Sequence, residues 1–267
     1  MKEGGCGTSE RTQKPMNGAV RAMIPSDERL WALTDIILQW NEKINVTAVR
    51  DREEFFVKNV LDSLKLAGQP EIEGASSILD LGTGGGFPGL PLAMAYPDKK
   101  FVLMDSVGKK LTVVRDAAER LGLGNVRTVH ARAEELAAVP SYREAFDLVV
   151  SRAVANMSTL AEYCMPFVKK GGYLVAYKTV SAAEEIDFAA RAIRLLGGAP
   201  AEIRRPEYAL GDAEGIVPGA ERTEAAAEGK AAAQPGENGH IFVIVRKISA
   251  TPSSFPRAGG KPRKDPL

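Results

Sequence analysis

The chain has 267 residues, 26% of them charged, and a formal net charge of +1. That length is ample for a buried core, and the whole-chain charge selects no partner class. Its two cysteines, Cys6 and Cys164, exclude a disulfide framework, and no apolar run is long enough to span a bilayer, so a cytoplasmic protein is expected.

Residues 1–25 lack periodicity and are expected to be a disordered extension. A first helix is predicted to start at Ser26, a candidate cap, with Leu30, Leu33, Ile37, Trp40 and Ile44 as one apolar stripe. Asp51 and Glu54 resemble a cap and its partner for a second helix, carrying Phe56, Val60, Leu64 and Ala67. Both precede the first strand, so residues 26–68 read as a helical addition to the nucleotide-binding unit. Residues 78–81 form a short apolar run that enters Gly82, Gly84 and Gly86, and a helix opens near Pro88. From there strands and helices alternate. Strands are predicted at 101–105, 126–130, 146–151 and 173–178, a weaker one at 203–210, and a last one at 241–246. Helices are predicted at 107–121, ended by Gly122, at 157–168, and from a capping box at Ser181 to Leu196. Residues 211–239 form a long Ala/Gly/Glu-rich loop expected to be mobile, and 249–267 a basic, proline-rich tail. The alternation predicts an α/β fold with a mostly parallel sheet. The connection into the last strand has no convincing helix, so that strand is predicted to be antiparallel.

Charge is unevenly spread. Residues 106–133 hold six lysines and arginines against two acids, and 246–267 hold six against one, whereas 212–237 are acidic. His130 and His240 are the only histidines, and neither has a cysteine or carboxylate at ligand spacing, which argues against a metal site or a His-dependent triad. Ligands of open α/β sheets sit at the carboxyl ends of the strands. Candidates there are the Gly82–Gly84 turn, Asp105 as acceptor for ribose hydroxyls, Ala133 and Glu134 for a base edge, and Arg152 and Lys178 as positioning groups. Gly84, Gly86 and Gly89 also satisfy the dinucleotide spacing, so the turn alone leaves two cofactor classes open. No phosphate-binding lysine loop occurs, and no Asn/Asp-Pro-Pro-aromatic run follows the fourth strand to accept from an exocyclic amine.

Asp80-x-Gly82-x-Gly84-x-Gly86 resembles the first motif of S-adenosylmethionine (SAM) dependent methyltransferases. More specifically, the chain resembles the family of 16S ribosomal RNA guanine-N7 methyltransferases, also called glucose-inhibited division protein B. The residues carrying it are Trp40-Asn-Glu-Lys-Ile-Asn-Val-Thr47, Val60-Leu-Asp-Ser63, Ile78-Leu-Asp-Leu-Gly-Thr-Gly-Gly-Gly-Phe-Pro-Gly89, Asp105-Ser-x-Gly-Lys-Lys110, Arg132-Ala-Glu-Glu135, Ser151-Arg-Ala153 and the tail's Phe255-Pro-Arg257. The resemblance implies a Rossmann-like fold with a seven-stranded sheet, and SAM held by Gly82, Gly84, Phe87, Asp105, Ser106, Ala133, Glu134 and Arg152. It implies a guanine of small-subunit ribosomal RNA as acceptor. Methyl transfer to another RNA or a small molecule, or RNA binding without catalysis, are the alternatives. Asn59 and Thr179 depart from the family pattern, which often has His and Gly there.

Overall fold

The computed structural model describes residues 27–152, 154–180, 183–206 and 240–267. The expected N-terminal disorder, the Ser26 cap, Ala153, the capping box at Ser181, residues 207–210 of the sixth predicted strand and the mobile loop at 211–239 lie outside them; that strand, expected over 203–210, ends at Arg204.

The chain opens with α1 (Asp27–Asn41). Asn41 ends it by accepting from the backbone N–H groups of Val46 (2.9 Å) and Thr47 (3.1 Å), which folds 42–47 into a compact turn. The second predicted helix starts as expected, with Asp51 accepting from the Glu54 N–H at 2.8 Å. It does not stay α-helical. Arg52–Phe55 (α2) runs into a π-helical turn, Phe56–Leu61, before α3 (Asp62–Leu64). Apolar residues four apart fit either form, so periodicity could not separate them. A short α4 (Pro70–Glu73) follows, unforeseen because four residues carry no period.

The α/β unit then alternates as predicted. It runs β1 (Ser77–Leu81), α5 (Gly89–Ala95), β2 (Lys100–Asp105), α6 (Gly108–Arg120), β3 (Val126–His130), α7 (Ala133–Leu136) and β4 (Phe146–Arg152). After these come α8 (Met157–Cys164), β5 (Val168–Thr179), α9 (Ala183–Leu195), β6 (Glu202–Arg204) and β7 (His240–Arg246). The helix expected to reach 168 stops at Cys164, because Pro166 sits in a tight 3-10 turn and Val168 already pairs with Phe146. Among the described residues the sheet has seven strands in the order β3-β2-β1-β4-β5-β7-β6. Pairing is parallel from β3 through β5, whereas β7 runs antiparallel to both β5 and β6. The predicted antiparallel last strand is therefore present, with Tyr177 opposite Phe242.

Strand alternation divides the interior into two clusters. Ile78, Phe101, Leu103, Leu148, Val150, Val175 and Tyr177 pack with the N-terminal helices, whereas Leu79, Met104, Val149, Leu174 and Ala176 pack with α8 and α9. Trp31 lies between the Phe56 ring (centroids 3.9 Å apart, stacked) and the Arg52 guanidinium (4.2 Å). Trp40 donates to Asp116 on α6 at 2.7 Å, fastening the addition to the α/β unit. The basic tail is not a free appendage. Thr251 and Pro262 are buried, and it ends in a short turn of helix, α10 (Lys261–Lys264). No described helix is long and apolar enough to cross a membrane.

Candidate active site

The first strand delivers its chain into a glycine turn whose shape needs glycine. Gly82 has φ +74°, and a Cβ there would sit 2.5 Å from Val154 Cγ2. A Cβ at Gly89 would press on Asp80 Oδ2 at 2.7 Å and on Leu103 at 2.8 Å. Asp80 holds the turn from below: its Oδ2 accepts the Thr83 hydroxyl at 2.6 Å and the Gly89 N–H at 2.9 Å. Its Oδ1 has no partner among the described residues. Burial pushes this carboxyl up to about 6, against the donors from Thr83 and Gly89 and the charge of Arg152.

Asp105, at the end of β2, ties two backbone segments together. Oδ2 accepts from Gly84 N–H (3.0 Å) and Oδ1 from Val107 N–H (2.8 Å), just before α6. It thus serves the turn and the helix start at once, and each oxygen keeps a lone pair for a ligand hydroxyl. Glu134 follows β3; its Oε1 accepts from the Gly260 N–H at 3.2 Å and lies 3.5 Å from Arg132.

Arg152 ends β4 on the same face of the sheet as Asp80 and Asp105. Its guanidinium donates to Asn59 Oδ1 (2.8 Å), the Lys58 carbonyl (3.3 Å) and Asp62 Oδ2 (3.4 Å), and sits 5.5 Å from the Phe87 ring centre. Lys58 and Asn59 belong to the π turn, which explains that irregularity: it brings a carbonyl and an amide to one guanidinium. Asp62 also meets Lys65 at 2.8 Å and His240 Nδ1 at 2.7 Å. Burial opposes its ionisation, but the His240 hydrogen bond and charge, with Lys65, outweigh it and hold the carboxyl below its ordinary range. His240 and Asp62 are 178 positions apart, so the sequence carried no sign of this pair.

Gly82, Gly84, Phe87, Asp105, Ser106, Ala133, Glu134 and Arg152 all line one cavity of about 830 Å³ at the carboxyl ends of β1–β4. Lys178 does not. It alternates onto the opposite face of β5, where its ammonium donates to the Ala155 carbonyl (2.6 Å) and Glu185 (2.9 Å), so it supports the β4–α8 connection. Two further walls were not anticipated. The N-terminal addition contributes Ile37, Val46, Thr47, Phe55 and Asn59, and the C-terminal segment contributes Gly259, Gly260, Arg263 and Lys264. The Trp40–Thr47 motif held the signal for the first, because Asn41 is what places Val46 and Thr47 at the cavity. Cys164 is buried, and desolvation with nearby Asp80 pushes its thiol up, so no thiolate nucleophile is poised here. No cluster of three or more His, Cys, Asp or Glu suited to a metal occurs among the described residues.

The mostly parallel sheet closed by an antiparallel β7, with its glycine turn under a strand-end cavity, is a Rossmann-like methyltransferase fold. The crystal structure of a Klebsiella pneumoniae protein described as an O-methyltransferase superposes with a TM-score of 0.51 over 86% of this chain and 94% of that one, at 16% identity. The profile of the GidB family, described as rRNA small subunit methyltransferase G, matches residues 26–207. Ribosomal RNA small subunit methyltransferase G of Clostridium novyi is 41% identical over 233 residues, covering 87% of this chain and 86% of that protein. The enzyme of the same name from Moorella thermoacetica is 39% identical over 236 residues, covering 88% of each chain. The chain belongs to the rRNA small subunit methyltransferase G family and is a methyltransferase.

Proposed function

We propose that this protein transfers the methyl group of SAM to N7 of a guanine in 16S ribosomal RNA, acting in the cytoplasm. The observation that carries the reading is convergence: eight residues from four stretches of chain, Asp105 among them, singled out by motif, line one cavity. Its size suits a nucleoside bearing an amino acid. The glycine backbone leaves room for close approach, and the carboxylates of Asp105 and Glu134 suit ribose hydroxyls and a base edge. Asp80 builds the turn rather than touching the ligand, since both bonds of its Oδ2 are internal.

Bound SAM would supply an electrophilic methyl on a sulfonium centre. The chain's own residues then have a limited task. Guanine N7 is a free ring lone pair, so no side chain must remove a proton, and the site presents neither a poised thiolate nor a histidine among its lining residues. Catalysis is positioning together with a field that favours the positive charge passing to the purine. Arg152, fixed by Asn59, Asp62 and the Lys58 carbonyl and stacked near Phe87, is the group best placed to hold a carboxylate of the donor.

Titration calorimetry tests the donor assignment. S-adenosylhomocysteine should bind while NAD gives no heat, and Arg152→Ala should bind it about 10- to 100-fold more weakly, the size of a charged hydrogen bond. Binding of NAD without S-adenosylhomocysteine would overturn the reading. Asp62 keeps Lys65 and His240 in that variant, so the fold should survive the substitution.

A further inference from the structure

The mouth of the cavity carries charge that donor binding does not use. Lys110 from α6, Arg132 from the turn after β3, and Arg263 and Lys264 from α10 all line it. Among the described residues Arg132 forms one ion pair, a 3.5 Å contact with Glu134, and its side chain is 57% exposed. Arg263 and Lys264 are exposed and form no ion pair among the described residues. SAM itself carries two positive groups and one carboxylate, so a ring of cations gains nothing from it. The carboxylates that line the cavity, Asp105 and Glu134, suit that donor; the rim suits a polyanion.

The C-terminal cations are also held in place. Arg257 donates to the buried Glu162 at 2.9 and 2.7 Å, and Thr159 donates to the Pro262 carbonyl at 2.7 Å. Arg143 donates to the carbonyls of Thr251 (3.0 Å), Pro252 (3.1 Å) and Phe255 (2.9 Å). The Gly260 N–H reaches Glu134 at 3.2 Å, so the cofactor wall and the tail share a residue. A segment fastened this often fixes where its charges stand before a ligand arrives, which lowers the ordering cost of binding.

We infer that the C-terminal segment is a phosphate-docking rim for RNA. Arg263 and Lys264, with Arg132 and Lys110, take the phosphates of nucleotides flanking the one whose base enters the cavity. This rests on the reading of RNA as methyl acceptor and assigns the surface that holds it. An enzyme acting on a base must admit that base alone to its pocket, which leaves the sugar-phosphate chain at the mouth. Cations contacting phosphates release counterions, so their contribution shows in the salt dependence of binding.

The test is the full-length double variant Arg263→Gln/Lys264→Gln, titrated with unmodified small-subunit RNA at several salt concentrations, and separately with S-adenosylhomocysteine. The rim requires RNA affinity to fall roughly tenfold at about 0.1 M salt, and the slope of log affinity against log salt to shrink by about 1.4, while S-adenosylhomocysteine affinity is unchanged. Unchanged RNA affinity and slope overturn it. A parallel loss of S-adenosylhomocysteine affinity also overturns it, because the two cations then belong to the donor site. Loss confined to assembled subunits, with free RNA bound normally, points to an acidic protein partner instead. Wild-type protein that methylates no guanine in this RNA defeats the acceptor reading itself, whatever the variant does.

Discussion

Asp80 is where the motif and the physics pull in different directions. The residue is needed as an acceptor for Thr83 and Gly89, yet it is fully buried with one oxygen that has no partner among the described residues. Its carboxyl is raised from 3.8 to about 6 by burial. A raised folded value means the native state binds the extra proton, so this group favours folding below about pH 4 and loses that contribution as pH rises through about 6. Above that, the ionised carboxylate costs on the order of 2–3 kcal/mol. Asp80→Asn keeps an acceptor for both donors and removes the charge. It should therefore be more stable than wild type in urea denaturation at pH 8, with the difference vanishing near pH 4; a variant less stable at both values would contradict the burial argument. Asp80, Asp105 and Arg152 were all legible in the sequence because strand ends announce themselves by a change from apolar to charged residues. Asp62 and His240 were not, because their meeting depends on β7 returning beside β5, a pairing that no local pattern encodes. Lys178 was misplaced by the same limit: strand-end position was visible, the face of the sheet was not.

Elements with a clear period were placed to within a few residues, as β3 (Val126–His130) and α6 (Gly108–Arg120) illustrate. The π turn was hidden, since it keeps the predicted stripe residues Phe56 and Val60 buried while it decides which polar groups reach Arg152. The tail is the larger surprise. Its prolines and cations read as a basic tail with no predicted element, and its cohesion lies in long-range bonds to α8 and to the loop before β4. Glu162 is wholly buried and Arg257 is its guanidinium partner at 2.7 Å. Removing one member of such a pair leaves an uncompensated charge, so Arg257→Ala should lower stability by about 3–5 kcal/mol in urea denaturation. A paired substitution, Arg257→Met with Glu162→Met, should cost much less, because no charge is then stranded. Equal losses for the two would mean that the ion pair is not what holds the tail.

At the scale of the whole molecule, charges are separated. Asp105 and Glu134 line the cavity with the largely buried Arg152, and the exposed cations stand at its mouth on α6, the β3–α7 turn and α10. A net charge of +1 conceals this arrangement. The α/β unit supplies the turn and the carboxylates, and the N-terminal addition supplies a wall and the partners of Arg152. The tail completes the rim. Such a division fits a cationic donor held within and a polyanionic acceptor held outside. Mass-spectrometric mapping of 16S ribosomal RNA from a strain lacking this gene, beside the same strain with the gene restored, tests the claim most directly. The account predicts one 7-methylguanosine absent in the first and present in the second; identical modification in both would contradict it.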